Sequence, residues 1–544
     1  MSDLAPSRLR WRWAALVLFA FLAFLPAFFT LPITDRDEAR FAQASRQMVQ
    51  SGDLVDIRFQ DEARHKKPIG IYWLQTAAVT LSGQGEAAAI WVYRLPSLVG
   101  AVLAVVLVAG IGAALFGPLP GLLAGALFAA GFVIGGEARI AKTDAALLAT
   151  ILASQAVLAR LYLRQAVGTG LVFAFWLAVA AGLLLKGPIG PMVPLFTAAA
   201  LAAIDRRGGW LRPLWSPWPI LLALAVTLPW FVAITIRSEG AFWVGSVGAD
   251  LLPKVAAGQE GKGAPPGTHL LLALFTFWPA TPLLILALPA IWRARAEPAT
   301  RFCLAWVIPV WLLFEAVPTK LIHYTLPTYP ALALLAVAHL PAGLALARPW
   351  LRAVAGVAVL PGFVLAAAVL TFAATTGAGP VPVGLLVGAM IGAAAVMALG
   401  IGAWRQQRAH RMVLAFAAAG AILHGGLFAT LARMPVLWPT EGALALADTL
   451  AAAQGCARPR LTGWGYDEPS LVWKGTGETR LFPGSAPAAE VLRPGPCEVV
   501  VRRRQAEEVA PPSLACPVAG TVEGLAIGAG RFVTLDILDC RSAS

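Results

Sequence analysis

Long apolar runs broken by short polar connections occupy the first four-fifths of the chain. They lie near 14–32, 95–116, 119–136, 145–163, 170–185, 187–204, 217–236, 269–292, 302–317, 325–346, 353–375, 382–403 and 412–432, thirteen in all. Each suits a helix crossing a hydrocarbon core about 30 Å thick. The runs are continuous rather than alternating, which excludes an outer-membrane barrel. From 434 onward the pattern changes to short polar and apolar stretches with Pro and Gly turns. A helix-like stretch at 443–454 and strand-like runs at 498–501 and 532–538 predict a small α/β domain.

The polar connections set an orientation. Alternate connections carry Arg160, Arg164, Arg206, Arg207, Arg212, Arg293, Arg295, Arg301, Arg348, Arg352, Arg405, Arg408 and Arg411, against only Asp205 and Glu297 as acids. Basic short loops stay in the cytoplasm, so these are the inner connections. Arg8, Arg10 and Arg12 before the first run resemble a signal sequence without a small-x-small cleavage site, and predict an uncleaved span with the N-terminus inside. An odd number of spans then places 434–544 outside. Four of five cysteines, Cys456, Cys497, Cys516 and Cys540, fall in that segment. An even set in an oxidising compartment predicts two disulfides, with three pairings open. Tight Cys-x-x-Cys spacing, the mark of a zinc site, is missing. Cys303, within a span, reads as a small apolar residue.

Composition strengthens the membrane reading: 58% hydrophobic, 13% charged and a mean hydropathy of +0.73. The net charge of +13 lies between spans, so lipid headgroups are the expected partners and nucleic acid is not. All eight lysines map outside: Lys66, Lys67, Lys142, Lys186, Lys254, Lys262, Lys320 and Lys474. Cations there run against the inside preference, and an anionic substrate such as a lipid phosphate is the simplest reason to keep them.

Five outer segments carry the candidate chemistry. The first loop, 33–94, opens with Thr34-Asp35-Arg36-Asp37-Glu38-Ala39-Arg40, continues as an amphipathic helix of the kind that lies on a membrane surface, and reaches His65-Lys66-Lys67-Pro68, then Tyr72. Asp35 and Glu38 have capping-box spacing, and Asp37 and Arg40 share a helix face. The other segments are Glu137-Ala138-Arg139-Ile140-Ala141-Lys142-Thr143-Asp144, Lys186-Gly187-Pro188, the glycine-rich stretch from Val244 through Lys262 to Gly267, and Lys320-Leu321-Ile322-His323-Tyr324. All five lie on one membrane face, as a shared site requires. No nucleotide-binding fingerprint occurs.

In their order, Asp37-Glu38-x-Arg40, Lys67-Pro68, Arg139 with Asp144, Lys186-Gly187-Pro188 and Lys320 with Tyr324, these motifs resemble the GT-C glycosyltransferases of the protein O-mannosyltransferase superfamily, most of all the bacterial lipid A aminoarabinose transferases. The resemblance covers the membrane domain, 1–433. It implies a polytopic α-helical GT-C fold in a bacterial inner membrane, the site facing the periplasm. It also implies a polyprenyl-phosphate sugar donor, a lipid, glycolipid or other extracytoplasmic acceptor, and inversion at the anomeric carbon; a monomer is expected. Asp37 and Asp144 become the catalytic acids. Arg40, Lys66, Lys67, Arg139, Lys186, Lys262, Lys320 and Tyr324 become phosphate or substrate contacts, with Glu38, Tyr72 and His323 in support.

The relatives have a Glu directly before the lysine of Lys-Pro and a His in a later outer loop, together resembling a metal site. Here those positions carry Lys66 and, by loop alignment, Lys262, with His269 as an alternative ligand. No cofactor is therefore expected, and tethered ammonium groups are expected in place of a bound cation. The chemistry is coherent without the family: a sugar leaving from phosphate releases a stable anion, so holding that anion matters more than protonating it. A transporter is the rival class, but its ionisable groups belong near mid-bilayer. A protein glycosyltransferase or oligosaccharyltransferase is the other, although no Trp-Trp-Asp signature is present.

Overall fold

The computed structural model describes residues 6–256, 263–376, 382–475, 477–505 and 516–540. Among them, eight helices are long and apolar enough to cross a membrane, or nine if the bent pair Thr268–Thr276 and Thr281–Arg293 is one span. The chain is a multi-pass helical membrane protein. Its helices pack on one continuous apolar core, while Leu221, Ile236, Leu312 and Leu399 point outward, as lipid-facing surfaces do.

Small residues let the helices that carry the site approach closely. A Cβ at Gly100 would lie 2.7 Å from the Ala146 backbone, which fixes Ile90–Phe116 against Asp144–Tyr162. A Cβ at Gly70 would lie 2.7 Å from the Leu184 carbonyl oxygen, so the helix Gly70–Ser82 sits on the end of Thr169–Lys186. That contact brings Lys67 beside Lys186. The chain then reverses at Gly187, whose φ of +60° favours glycine.

The sequence predicts a helix in the first loop lying on a membrane surface; the observed Asp37–Ser51 helix is instead largely enclosed. Its outer side is covered by the C-terminal segment. The Arg46 guanidinium stacks 3.4 Å from the Trp473 ring and donates to the Trp473 carbonyl at 2.6 Å, and Asp35 accepts from the Ser470 amide at 3.1 Å. A helix whose polar side meets protein has no need of headgroups.

The C-terminal segment is a five-stranded mixed sheet, in the order Arg480–Phe482, Arg460–Trp464, Glu498–Arg503, Arg531–Asp539, Val518–Ala526. Pairs within the first three strands are parallel and the rest antiparallel. The helix Pro439–Ala453 buries Ala443, Leu444 and Ala447 against Leu461, Val499 and Ile537. Cys456 pairs with Cys497 and Cys516 with Cys540.

Candidate active site

A cavity of about 750 Å³ opens among the five outer segments. Its head is lined by eight Lys and Arg, namely Arg36, Arg40, Arg64, Lys66, Lys67, Lys142, Lys186 and Lys254, against the carboxylates Asp37, Asp144 and Asp250. Below them runs an apolar slot including Leu147, Leu148, Ile151, Leu183, Ile189, Met192 and Phe196. A strongly cationic head continuous with an apolar slot fits an anion that carries a hydrocarbon tail.

Asp144 heads its helix, and its carboxylate meets Lys186 Nζ at 2.5 Å and Lys142 Nζ at 3.6 Å. His323 stands between two acids, with Nε2 3.7 Å from Asp144 Oδ1 and Nδ1 3.7 Å from Glu137 Oε1; Lys142 Nζ is 3.5 Å from Glu137. Glu137, Lys142, Asp144 and His323 thus form a closed ring of alternating acids and bases. Burial pushes the His323 imidazole down to about 3, so it is neutral at physiological pH, and burial raises the Glu137 carboxyl against the pull of Lys142.

Across the cavity, Asp250 holds Lys67 Nζ at 2.5 Å and Lys254 Nζ at 2.6 Å. Burial pushes the Lys67 ammonium down to about 8, with Lys254 and Lys186 adding to the shift and Asp250 opposing it. Asp37 opens into the cavity. Its enclosure by protein would raise the carboxyl, but Lys142 and Arg64 hold it below the ordinary value, so it stays ionised. Burial raises the Tyr324 phenol, which therefore remains a hydrogen-bond donor.

The cavity brings together Asp37, Arg40, Lys66, Lys67, Asp144, Lys186, His323 and Tyr324. Other expected residues lie elsewhere. Arg139, fully buried, donates to the carbonyls of Pro26, Gly135 and Ala23, at 2.7, 2.5 and 2.6 Å, and ties the first span to the turn before Asp144. Lys320 donates to the carbonyls of Phe314, Glu315 and Val317, closing the end of the helix Pro298–Ala316. Glu38 pairs with the buried Arg94 at 2.7 Å and accepts from the Thr34 amide and hydroxyl at 2.8 and 2.9 Å; it ties the preceding turn to the helix and makes no capping box with Asp35. Tyr72 is fully buried against Phe41, behind the cavity wall. Lys262 and its neighbours 257–261 lie outside the described residues.

Arg64 and Asp250 are cavity residues without a role in the sequence reading, where Lys254 entered only as one of the outward lysines. Asp250 had one available signal: it is four residues before Lys254, the spacing of a helical ion pair.

Among the described residues no three His, Cys, Asp or Glu side chains are grouped to hold a metal. Lys66 lines the cavity. His269 faces the Leu321 carbonyl and Glu315, and His65 is bonded to Asp56 at 2.9 Å.

Residues 66–234 match the family model described as dolichyl-phosphate-mannose-protein mannosyltransferase. The undecaprenyl phosphate-alpha-4-amino-4-deoxy-L-arabinose arabinosyl transferase of Aeromonas hydrophila is 29% identical over 336 residues, 60% of this chain and 59% of the relative. That of Edwardsiella ictaluri is 28% identical over 309 residues, 55% of this chain and 54% of the relative. The chain thus spans under three-fifths of the length of these curated relatives. The crystal structure of ArnT from Cupriavidus metallidurans bound to undecaprenyl phosphate superposes with a TM-score of 0.73 at 19% identity, covering 98% of each chain. Its apo state gives 0.72 at 20% identity, covering 96% of this chain and 97% of that one. The chain has the polytopic GT-C fold, and the resemblance read from its motifs is borne out.

Proposed function

We propose that this protein is an inverting glycosyltransferase that moves a sugar from a polyprenyl-phosphate donor to a lipid A-like acceptor at the outer face of a bacterial inner membrane. The observation that carries the reading is the cationic cavity head continuous with an apolar slot: a phosphate belongs among the lysines and a polyprenyl chain in the slot. The similarity to aminoarabinose transferases supports the same donor class.

In this reading Arg40 grips two phosphate oxygens, while Lys67 and Lys186 act as point charges. The bond from the anomeric carbon to the phosphate oxygen breaks, its electron pair leaves with polyprenyl phosphate, and the acceptor oxygen attacks from the opposite face. Charge builds on the leaving oxygen, where fixed cations stabilise the transition state more than the ground state. A hydroxyl acceptor passes its proton to Asp37 or Asp144. An ionised phosphate acceptor needs no base, and the same carboxylates then orient the sugar. Tyr324 donates to the phosphate or the acceptor, and Lys66 supplies a further charge at the cavity wall.

The proposed topology has the N-terminus in the cytoplasm and the sheet domain in the periplasm. One span each for the eight long helices, the bent pair, the three shorter apolar helices and Pro6–Phe24 gives thirteen. The protein acts as a monomer without a metal. Incubation with polyprenyl-phosphate sugars and purified acceptors, read by mass spectrometry, tests the function: sugar-modified lipid is expected. Modified protein instead, or unaltered donor with every acceptor, would refute it.

A further inference from the structure

A second cavity, of about 720 Å³, lies between the C-terminal domain and the end of the helix bundle, and shares no lining residue with the first. The Asp37–Ser51 helix separates the two. At 100° per residue Arg46 is about 180° around that helix from Asp37, so Asp37 faces the first cavity and Arg46 lines the second.

Arg46 is only 6% exposed, and its Nε is buried without a hydrogen-bond partner. Among the described residues no carboxylate forms an ion pair with it. The guanidinium is held by the Trp473 carbonyl and ring, by a long 3.5 Å contact to Gln43 Oε1 and by the Tyr93 hydroxyl, all neutral groups, so its charge is incompletely compensated, and a nearby anion relieves that cost. Arg433 and Lys474 add positive charge to the lining; its one acid, Glu441, is taken by Lys474 at 3.0 Å. Apart from Thr30 the rest is apolar, with Phe29, more than half exposed, Ile90 and Trp438. Phe29 follows the first span and Arg433 follows the last, so the cavity stands where apolar bundle gives way to polar domain.

We infer that this cavity is a second lipid site, which takes the phosphate head of an anionic membrane lipid between Arg46, Arg433 and Lys474 and passes its acyl chains over Phe29 and Ile90 into the bilayer. Free phosphate would satisfy the cations but leave Phe29 and Trp438 facing water; a lipid covers both. The site is independent of sugar transfer.

The full-length protein in phosphatidylcholine nanodiscs doped with phosphatidylglycerol tests this by native mass spectrometry of retained lipid. Wild type should retain phosphatidylglycerol over phosphatidylcholine. The exposed double variant Arg433→Gln, Lys474→Gln should lose about tenfold of that preference, with unchanged thermal unfolding and unchanged binding of polyprenyl phosphate. Arg433→Gln alone should show a smaller loss. Equal preference in wild type and double variant would overturn the site. Release of the lipid by equimolar inorganic phosphate would overturn the lipid assignment. Loss of transfer with lipid retention intact would bear only on the function proposed above.

Discussion

Replacing Lys67 by Met removes a charge from the cavity at almost constant volume, and its consequences can be worked from the contacts. Lys67 shares Asp250 with Lys254, so the variant leaves Asp250 paired at 2.6 Å rather than buried alone. Because Asp250 keeps its second partner and no charge is left buried alone, the stability cost stays at about 1 kcal/mol. A charged hydrogen bond to the leaving phosphate contributes about 1.5–3 kcal/mol, so kcat/KM should fall roughly 10- to 150-fold. The pH dependence gives a second readout. The folded-state value, about 8, is below the ordinary 10.5, so the ammonium is lost from the folded protein as pH rises through about 8. In wild type kcat/KM should therefore decline above that point, and Lys67→Arg, which stays charged, should remove the alkaline limb. Steady-state transfer to a lipid acceptor, with detergent thermal unfolding in parallel, measures both. Turnover of Lys67→Met within threefold of wild type (about 0.6 kcal/mol), or a drop in melting temperature that accounts for its loss, would refute the phosphate clamp.

Glu137→Gln removes one counter-ion from Lys142 and one neighbour from His323 without emptying the space, so transfer should fall several-fold. Because burial raises the Glu137 carboxyl, wild type should lose activity on the acid side as that group protonates, and the variant should lack this limb; an unaltered acid limb would assign it elsewhere. Arg139→Ala strips donors from three buried carbonyls and should cost about 3 kcal/mol or more of stability, seen as early thermal unfolding; a stable but inactive variant would return Arg139 to the chemistry. Transfer should persist in excess EDTA, and a loss restored by one added metal would contradict the reading of Lys66 as a tethered charge. Thiol labelling without reduction should leave Cys456, Cys497, Cys516 and Cys540 blocked, and labelling of all four from the cytoplasmic side would invert the topology.

The membrane architecture was legible in the chain because a bilayer imposes length and polarity on each segment separately: an apolar run long enough to cross is a helix whatever its neighbours are. The segments that meet in the cavity were legible for a related reason, since turns at one end of a bundle share one depth and the lysines collect there in a chain whose other connections carry arginine. Which side chains actually face the cavity was decided by packing. Arg139 and Arg40 look alike in sequence, yet one is consumed by carbonyls at the end of the first span while the other reaches the site. Lys320 closes a helix end, and Glu38 joins Arg94, fifty-six residues away. Asp250 acquires its place only because Gly70 lets a helix settle on Leu184 and brings Lys67 within reach. A charge in an apolar bundle must be satisfied by whatever the fold sets beside it, and that neighbour, a carbonyl, a carboxylate or a ligand, comes from distant parts of the chain that no local pattern records.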